Sequence, residues 1–221
     1  MSVPAPRPKG ARPAHPRRVL IVLMLLFFAP VAVSFILYYG IGWSPGGRVN
    51  HGELVQPAVP LPGLALPRAG APSADEPRPD GAVATQPAVT SPSFLKGKWT
   101  LLYLGAGACS AGCRLDLYNT RQVRAALGAD RERVQRVFLA KGACCDLEWL
   151  HAQQPDLVTV QASAAAAPLT TILEHAGRGP SADRVYLVDP LGNLMMCYAA
   201  DARPKGMLED LKKLLRLSHV G

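Results

Sequence analysis

Two pairs of cysteines are the residues of this chain best suited to chemistry. Cys109 and Cys113 are separated by Ser-Ala-Gly, whereas Cys144 and Cys145 are adjacent. Two thiols four residues apart lie on one face of a helix, so they can close a disulfide or hold a soft metal ion as thiolates. A helix N-terminus favours a thiolate, because its free amides carry partial positive charge.

The surrounding segments predict where these cysteines lie. An apolar strand at 99–105 precedes the first pair, and near-helical spacing of apolar residues follows over 109–127. Further strands are predicted at 134–140, 157–161, 184–188 and 194–198, and further helices at 146–153, 168–176 and 205–219. This order predicts an α/β domain, a mixed sheet with helices on both faces. Parallel strands end at the same sheet edge, so both cysteine pairs are expected there.

The net charge of +8 is unevenly distributed along the 221 residues. Residues 1–18 contribute +5, residues 44–93 contribute −1, and residues 94–221 contribute +4. No segment has the dense basic and aromatic surface of a nucleic-acid-binding protein. We therefore expect no nucleic-acid partner.

Residues 19–43 contain no charged side chain and are long enough to cross a bilayer. A cleaved signal peptide is the alternative, but its apolar region is shorter and ends in a small-residue cleavage site. Basic residues before the span predict a cytoplasmic N-terminus and a C-terminal domain in a bacterial periplasm, anchored by a single pass in the inner membrane. The predicted organisation is a basic tail (1–18), a transmembrane anchor (19–43), a linker (44–93) and one globular domain (94–221).

The predicted linker is rich in Pro, Ala and Gly and has no regular period, apart from a short stretch at 50–55. Such a segment extends and lets a tethered domain search the membrane surface. It is either a spacer alone, or it contacts a partner through residues 50–55.

Several segments resemble the Sco/SenC family of membrane-anchored proteins. The resemblance rests on the strand and Cys-x-x-x-Cys of 101–113, on Val-Tyr-Leu-Val-Asp-Pro-Leu-Gly at 185–192, and on the closing Leu-rich helix. Residues 50–54 and 187–196 resemble a subgroup of short proteobacterial members. The resemblance implies a thioredoxin-like fold, copper as the metal handled, and the copper-site subunit of cytochrome c oxidase as the partner.

The chain departs from that family at two places. Arg114 replaces the proline that normally follows the second cysteine, and residues 179–184 lack the histidine that is the family's third copper ligand. The candidate copper ligands are Cys109 and Cys113, and the possible additional ligands are Cys144, Cys145 and His175. A third thiolate would suit Cu(I) rather than Cu(II).

The cysteines leave alternatives open. Cys109 and Cys113 are a redox pair in which Cys109 attacks and Cys113 resolves, or a purely structural disulfide. Adjacent cysteines rarely bond to each other, so we expect Cys144 or Cys145 to bond to the 109/113 pair when oxidised. Whether the chain is an enzyme, a metallochaperone or a scaffold that has lost its metal stays open. Cys197 is expected to be a core residue.

Overall fold

The computed structural model describes residues 16–40, 50–69, 89–179, 183–199 and 202–218. The chain forms two units, Met1–Val49 and Asn50–Gly221. In the first unit, helix α1 (Pro16–Phe35) continues into a π-helix (Ile36–Gly40). Within the described residues, one helix is long and apolar enough to cross a membrane, Arg17–Phe35, and this fits the predicted anchor. The rest of that predicted anchor, residues 41–43, and the tail up to residue 15 lie outside the described residues.

The second unit contains a six-stranded mixed sheet in the order β1-β6-β5-β2-β3-β4. Strands β2, β3 and β4 are parallel, and β5, β6 and β1 continue the sheet in antiparallel fashion. The bounds are β1 Glu53–Pro60, β2 Trp99–Ala106, α2 Ala111–Ala125, β3 Val134–Lys141, α3 Leu147–Gln153, β4 Leu157–Gln161, α4 Ala167–Ala176, β5 Arg184–Val188, β6 Asn193–Tyr198 and α5 Pro204–Leu217.

Helices cover both faces of the sheet. Side chains from α2, α3 and α5 share one apolar core with one face of the central strands. Side chains from α4 share a second core with the opposite face, together with Leu61, Leu66 and Leu95. Strand β2 is buried at seven of its eight positions, since it lies in the middle of the sheet with a core on each side. The predicted α/β class and thioredoxin-like arrangement are confirmed.

The predicted linker boundaries need correction, because much of that segment belongs to the folded unit. Strand β1 pairs with β6, with Glu53 opposite Cys197 and Pro60 opposite Asn193. Leu61 and Leu66 are buried, and Thr90 joins the backbone of Leu66 through hydrogen bonds. The prolines of β1 interrupt the alternation of apolar and polar residues, so the sequence pattern did not predict this strand. Proline is nevertheless tolerated at a sheet edge, where half of the amides have no ladder partner.

Residues 50–54 lie against α5 rather than projecting away from the domain. The carboxylate of Asp210 is buried, and its Oδ2 accepts hydrogen bonds from the backbone amides of His51 (2.8 Å) and Gly52 (2.9 Å) and from the Tyr198 hydroxyl (3.2 Å). Outside this cluster, His51 Nε2 lies 2.9 Å from Glu209 Oε2. One carboxylate therefore joins the N-terminal strand to the C-terminal helix, a structural role for this short stretch of the predicted linker.

A buried arginine fixes α2 against the sheet. Arg136 of β3 is fully buried, and its guanidinium donates to Thr120 Oγ1 (3.1 Å), the Leu117 carbonyl (2.6 Å), Gln154 Oε1 (2.7 Å) and Asp156 Oδ1 (3.0 Å). Burial lowers the pKa of Arg136 to about 10, partly opposed by the charge of Asp156. Since α2 carries Cys113, this network positions the candidate site.

Candidate redox site

The first cysteine pair lies between the end of β2 and the first turn of α2. Cys109 has a left-handed backbone (φ 43°), and its amide donates to the Ala106 carbonyl at 3.0 Å. Ser110 caps α2, because its Oγ accepts from the Cys113 amide at 3.4 Å. Cys109 and Cys113 form a disulfide with their Cα atoms 5.1 Å apart. The geometry is that of a dithiol at a helix N-terminus, as the spacing predicted.

This disulfide is shielded, yet apolar surface lies on the same helix. Cys109 is 7% exposed and Cys113 only 1%. One and two turns along α2, Leu115 and Tyr118 are 58% and 51% exposed. Because they follow Cys113 by two and five residues, they lie on a different face of α2 from it and give the helix a separate apolar surface.

The second cysteine pair follows β3. Cys144 and Cys145 are joined by a cis peptide bond, their Cα atoms are 3.2 Å apart, and they form a disulfide with each other. The expected bond between the two pairs is therefore wrong. Each pair closes within its own loop, because the backbone after each strand brings the two sulfurs of that loop together.

The two loops nevertheless touch, as expected for parallel strands. The Gly107 amide donates to the Lys141 carbonyl at 2.8 Å, and a Cβ atom at Gly107 would lie 2.9 Å from the Cα atom of Cys144. Beyond the pairs, Arg114 Nη2 lies 3.0 Å from Asp146 Oδ2. The Arg114 guanidinium also stacks over the Trp149 ring at 4.6 Å.

His175 is the remaining candidate copper ligand. It lies on α4, which covers the opposite face of the sheet from α2, and it lines a groove with Glu53 and Glu174. Among the described residues, no group of three or more His, Cys, Asp or Glu side chains is arranged to hold a metal ion. The role of His175 as an additional ligand stays a prediction, and Glu174, the residue before it on α4, pairs with Lys141 at the end of β3. Residues 180–182, part of the loop that lacks the family's histidine, lie outside the described residues.

A group of acidic and phenolic side chains lies on the same side as α2, and sequence reasoning missed it. The Tyr103 hydroxyl donates to Asp183 Oδ1 at 2.6 Å, and Asp183 adopts a left-handed backbone (φ 74°). Asp116 follows Cys113 by three residues on α2. Burial, and then the charge of Asp183, raise the pKa of Asp116 to about 6. The available signal was this three-residue spacing, which places both side chains on one helix face.

Cys197 takes no part in the site, because its side chain belongs to the core on the α4 side. It is a free thiol, 2% exposed, and burial raises its pKa. Its expected place in the core is confirmed.

Residues 99–218 match the protein family described as "Transmembrane-like, thioredoxin-like, C-terminal domain". The chain belongs to this family. The match includes both cysteine pairs and every strand of the sheet except β1. Among curated protein sequences, none matches this chain.

Solved structures share the fold of this family member. Yeast Sco1 with copper bound has a TM-score of 0.53 at 14% identity, covering 74% of this chain and 96% of that one. Yeast Sco1 has the same TM-score at 13% identity, covering 74% and 98%. Bradyrhizobium japonicum ScoI with copper bound has a TM-score of 0.45 at 19% identity, covering 71% and 99%. The two yeast structures confirm the resemblance to Sco proteins in the thioredoxin-like fold.

Proposed function

We propose that this protein is a membrane-tethered thiol-disulfide exchange factor that assists cytochrome c oxidase assembly by reducing a disulfide in the copper-site subunit. The observation that carries the proposal is the Cys109–Cys113 disulfide at the N-terminus of α2. Because the helix dipole and free amides stabilise a thiolate there, the reduced pair is suited to attack a disulfide.

The exchange uses only the two thiols of this site. The thiolate of Cys109, the more exposed of the two, attacks one sulfur of the substrate disulfide and releases the other as a thiolate. Cys113 then attacks Cys109, which closes the Cys109–Cys113 disulfide and frees the substrate dithiol. Asp116 is one turn from Cys113, and with a pKa near 6 its carboxylate can accept a proton close to neutral pH.

The partner and the compartment follow from the resemblance and from the charge pattern. The helix Arg17–Phe35 supports a membrane anchor, and the excess of basic residues before it favours a cytoplasmic N-terminus with the thiol domain in the periplasm. A disulfide persists in that oxidising compartment. Exposed Leu115 and Tyr118 give a membrane-protein partner an apolar surface on the helix that carries Cys113.

Delivery of Cu(I) is a second candidate, favoured by the meeting of the two cysteine loops. Once both disulfides are reduced, three thiols lie on adjoining loops and the fourth, Cys113, lies in the first turn of α2. Thiolates are the ligands that Cu(I) prefers. Copper would then be cargo. A third candidate is a scaffold that uses the surface of α2 and has no need of the cysteines.

One set of variants separates these candidates. A Cys113→Ala chain should trap a mixed disulfide between Cys109 and the copper-site subunit, and Cys109→Ala/Cys113→Ala should fail to restore oxidase activity in a deletion strain. Cys197→Ala, which removes a buried thiol on the other face, is the matched control and should restore it. Full activity of the double variant would establish the scaffold. Retention of Cu(I) by the reduced chain, lost with the double variant, would favour delivery.

A further inference from the structure

We infer that Cys144–Cys145 is a second redox-active disulfide, which accepts electrons from an external protein dithiol and passes them to Cys109–Cys113. This inference rests on the proposed exchange at Cys109–Cys113 and adds the route by which that disulfide is reduced again after each exchange. Three observations support it: the contact of the two loops, the difference in exposure between the two disulfides, and the position of Cys113 in the first turn of α2.

The contact of the loops brackets both disulfides. Gly107 precedes Cys109 by two residues and packs against the backbone of Ala143 and Cys144. Arg114 follows Cys113 directly, and its ion-pair partner Asp146 follows Cys145 directly. The side chains of Cys144 and Cys145 pack against the same apolar cluster that contains Cys109 and Cys113. The four sulfurs are thus confined to one small region at the ends of β2 and β3.

Exposure differs in the direction that a relay requires. Cys109 and Cys113 are buried, whereas Cys144 and Cys145 are partly exposed and follow an exposed Gly142 and Ala143. Thiol-disulfide exchange depends on access of the attacking thiolate to a sulfur. An external protein thiol therefore reaches the vicinal pair more readily than the shielded pair.

The electron balance closes with the donor dithiol alone. A donor thiolate attacks Cys144 or Cys145 and releases the other as a thiolate, and the second donor thiol then resolves the mixed disulfide, leaving the vicinal pair reduced. One vicinal thiolate next attacks Cys109 and releases the Cys113 thiolate, which the N-terminus of α2 stabilises. The second vicinal thiolate re-forms Cys144–Cys145 and releases Cys109. Two electrons pass from the donor to the 109/113 pair, and the two protons that the donor dithiol releases balance the two that the new dithiol takes up.

A cross-link tests whether the sulfurs meet. The full-length variants Cys113→Ala/Cys144→Ala/Cys197→Ala and Cys113→Ala/Cys145→Ala/Cys197→Ala, in detergent micelles, each keep Cys109 and one vicinal cysteine. With oxidised glutathione as the oxidant, at least one variant should form an intramolecular disulfide, detected by mass spectrometry as a link between tryptic peptides 99–114 and 142–178. Absence of the link in both variants overturns the relay.

The rate at which Cys109–Cys113 is reduced tests whether Cys144–Cys145 takes part in that reduction. Reduced thioredoxin is the donor, and the free thiols of peptide 99–114 are alkylated and counted over time in full-length Cys197→Ala and in Cys144→Ala/Cys145→Ala/Cys197→Ala. The relay predicts at least tenfold slower reduction without the vicinal pair, and any smaller change overturns it. Folding of the variant is checked by hydrogen exchange in β2, and if that protection is lost the cross-link alone decides.

These outcomes are distinguishable from failure of the proposed function. Protein that has been fully reduced with dithiothreitol needs no relay. The Cys144→Ala/Cys145→Ala chain treated in this way should still trap the partner through Cys109 when Cys113 is also replaced. If the partner is trapped but the relay tests fail, only the relay is disproved. If the cross-link forms and Cys144–Cys145 speeds the reduction of Cys109–Cys113, but no partner is trapped, only the proposed function is disproved.

Discussion

Replacement of Asp210 by alanine should release β1 from α5 and lower the free energy of unfolding by about 3–5 kcal/mol. In the native protein, Oδ2 accepts from two backbone amides and the Tyr198 hydroxyl, at 2.8, 2.9 and 3.2 Å. Without the carboxylate, these three donors lose their acceptor. Each unsatisfied buried donor costs about 1–3 kcal/mol, so three losses near the lower end of that range give the stated total.

Two further variants serve as controls for this substitution. Asp210→Asn keeps an oxygen that can take the place of Oδ2 and should cost roughly half as much, since a neutral amide oxygen accepts hydrogen bonds more weakly than a carboxylate. Glu209→Ala removes only the contact with the His51 ring, in which both side chains are over 40% exposed. An exposed pair of this kind contributes less than about 1 kcal/mol.

Two measurements on the full-length chain in detergent micelles check this prediction. Urea unfolding followed by tryptophan fluorescence gives the change in free energy, and hydrogen exchange with mass spectrometry follows the amides of residues 50–60. We expect faster exchange there in Asp210→Ala and little change in Glu209→Ala. A loss of stability below 1 kcal/mol, or equal exchange in the two variants, would refute the role assigned to Asp210.

Three further substitutions test the site and its support. Arg136→Ala should cost about 3–5 kcal/mol in urea unfolding, because it removes the buried donor of three acceptors and one of the two arginines that pair with Asp156. A loss below about 1 kcal/mol would contradict this. The free energy of unfolding should fall as the pH rises from about 4 to 6, because the folded state disfavours ionised Asp116. Asp116→Asn should make this fall smaller in urea midpoints measured between about pH 4 and 7. An unchanged dependence on pH in the variant would argue against the role of Asp116. Gly107→Ala should separate the cysteine loops, cost about 1–3 kcal/mol and slow reduction of Cys109–Cys113 by thioredoxin. Its control is Gly112→Ala, whose added Cβ meets only Ser110 Oγ, at 3.7 Å, and equal rates in these two variants would count against the loop contact.

The main elements of residues 99–217 were predictable from the sequence, because their patterns are local. Strand β2 is a largely apolar run, and α5 has a regular apolar stripe. Strand order along the chain then predicted that both cysteine pairs end at one edge of the sheet, and the Gly107–Cys144 contact agrees with this.

The candidate site itself was only partly predictable. Which cysteine bonds to which depends on the backbone of each loop, and the sequence carries no local pattern for that path. Likewise, the sequence places His175 near the end of a helix, but only the tertiary packing shows that this helix covers the opposite face of the sheet from α2. The face that a helix covers is set by the whole fold.

The sequence by itself determined the apolar N-terminal segment, the alternation of strands and helices, and the placement of a dithiol at the start of α2. Tertiary structure alone decided that residues 53–60 form an edge strand, that Asp210 holds them, and that two disulfides of unequal exposure adjoin. The physical reason is the range of the interactions. Periodicity and helix capping act over a few neighbours, whereas the pairing of β1 with β6 and the contact of the cysteine loops join residues more than 30 positions apart.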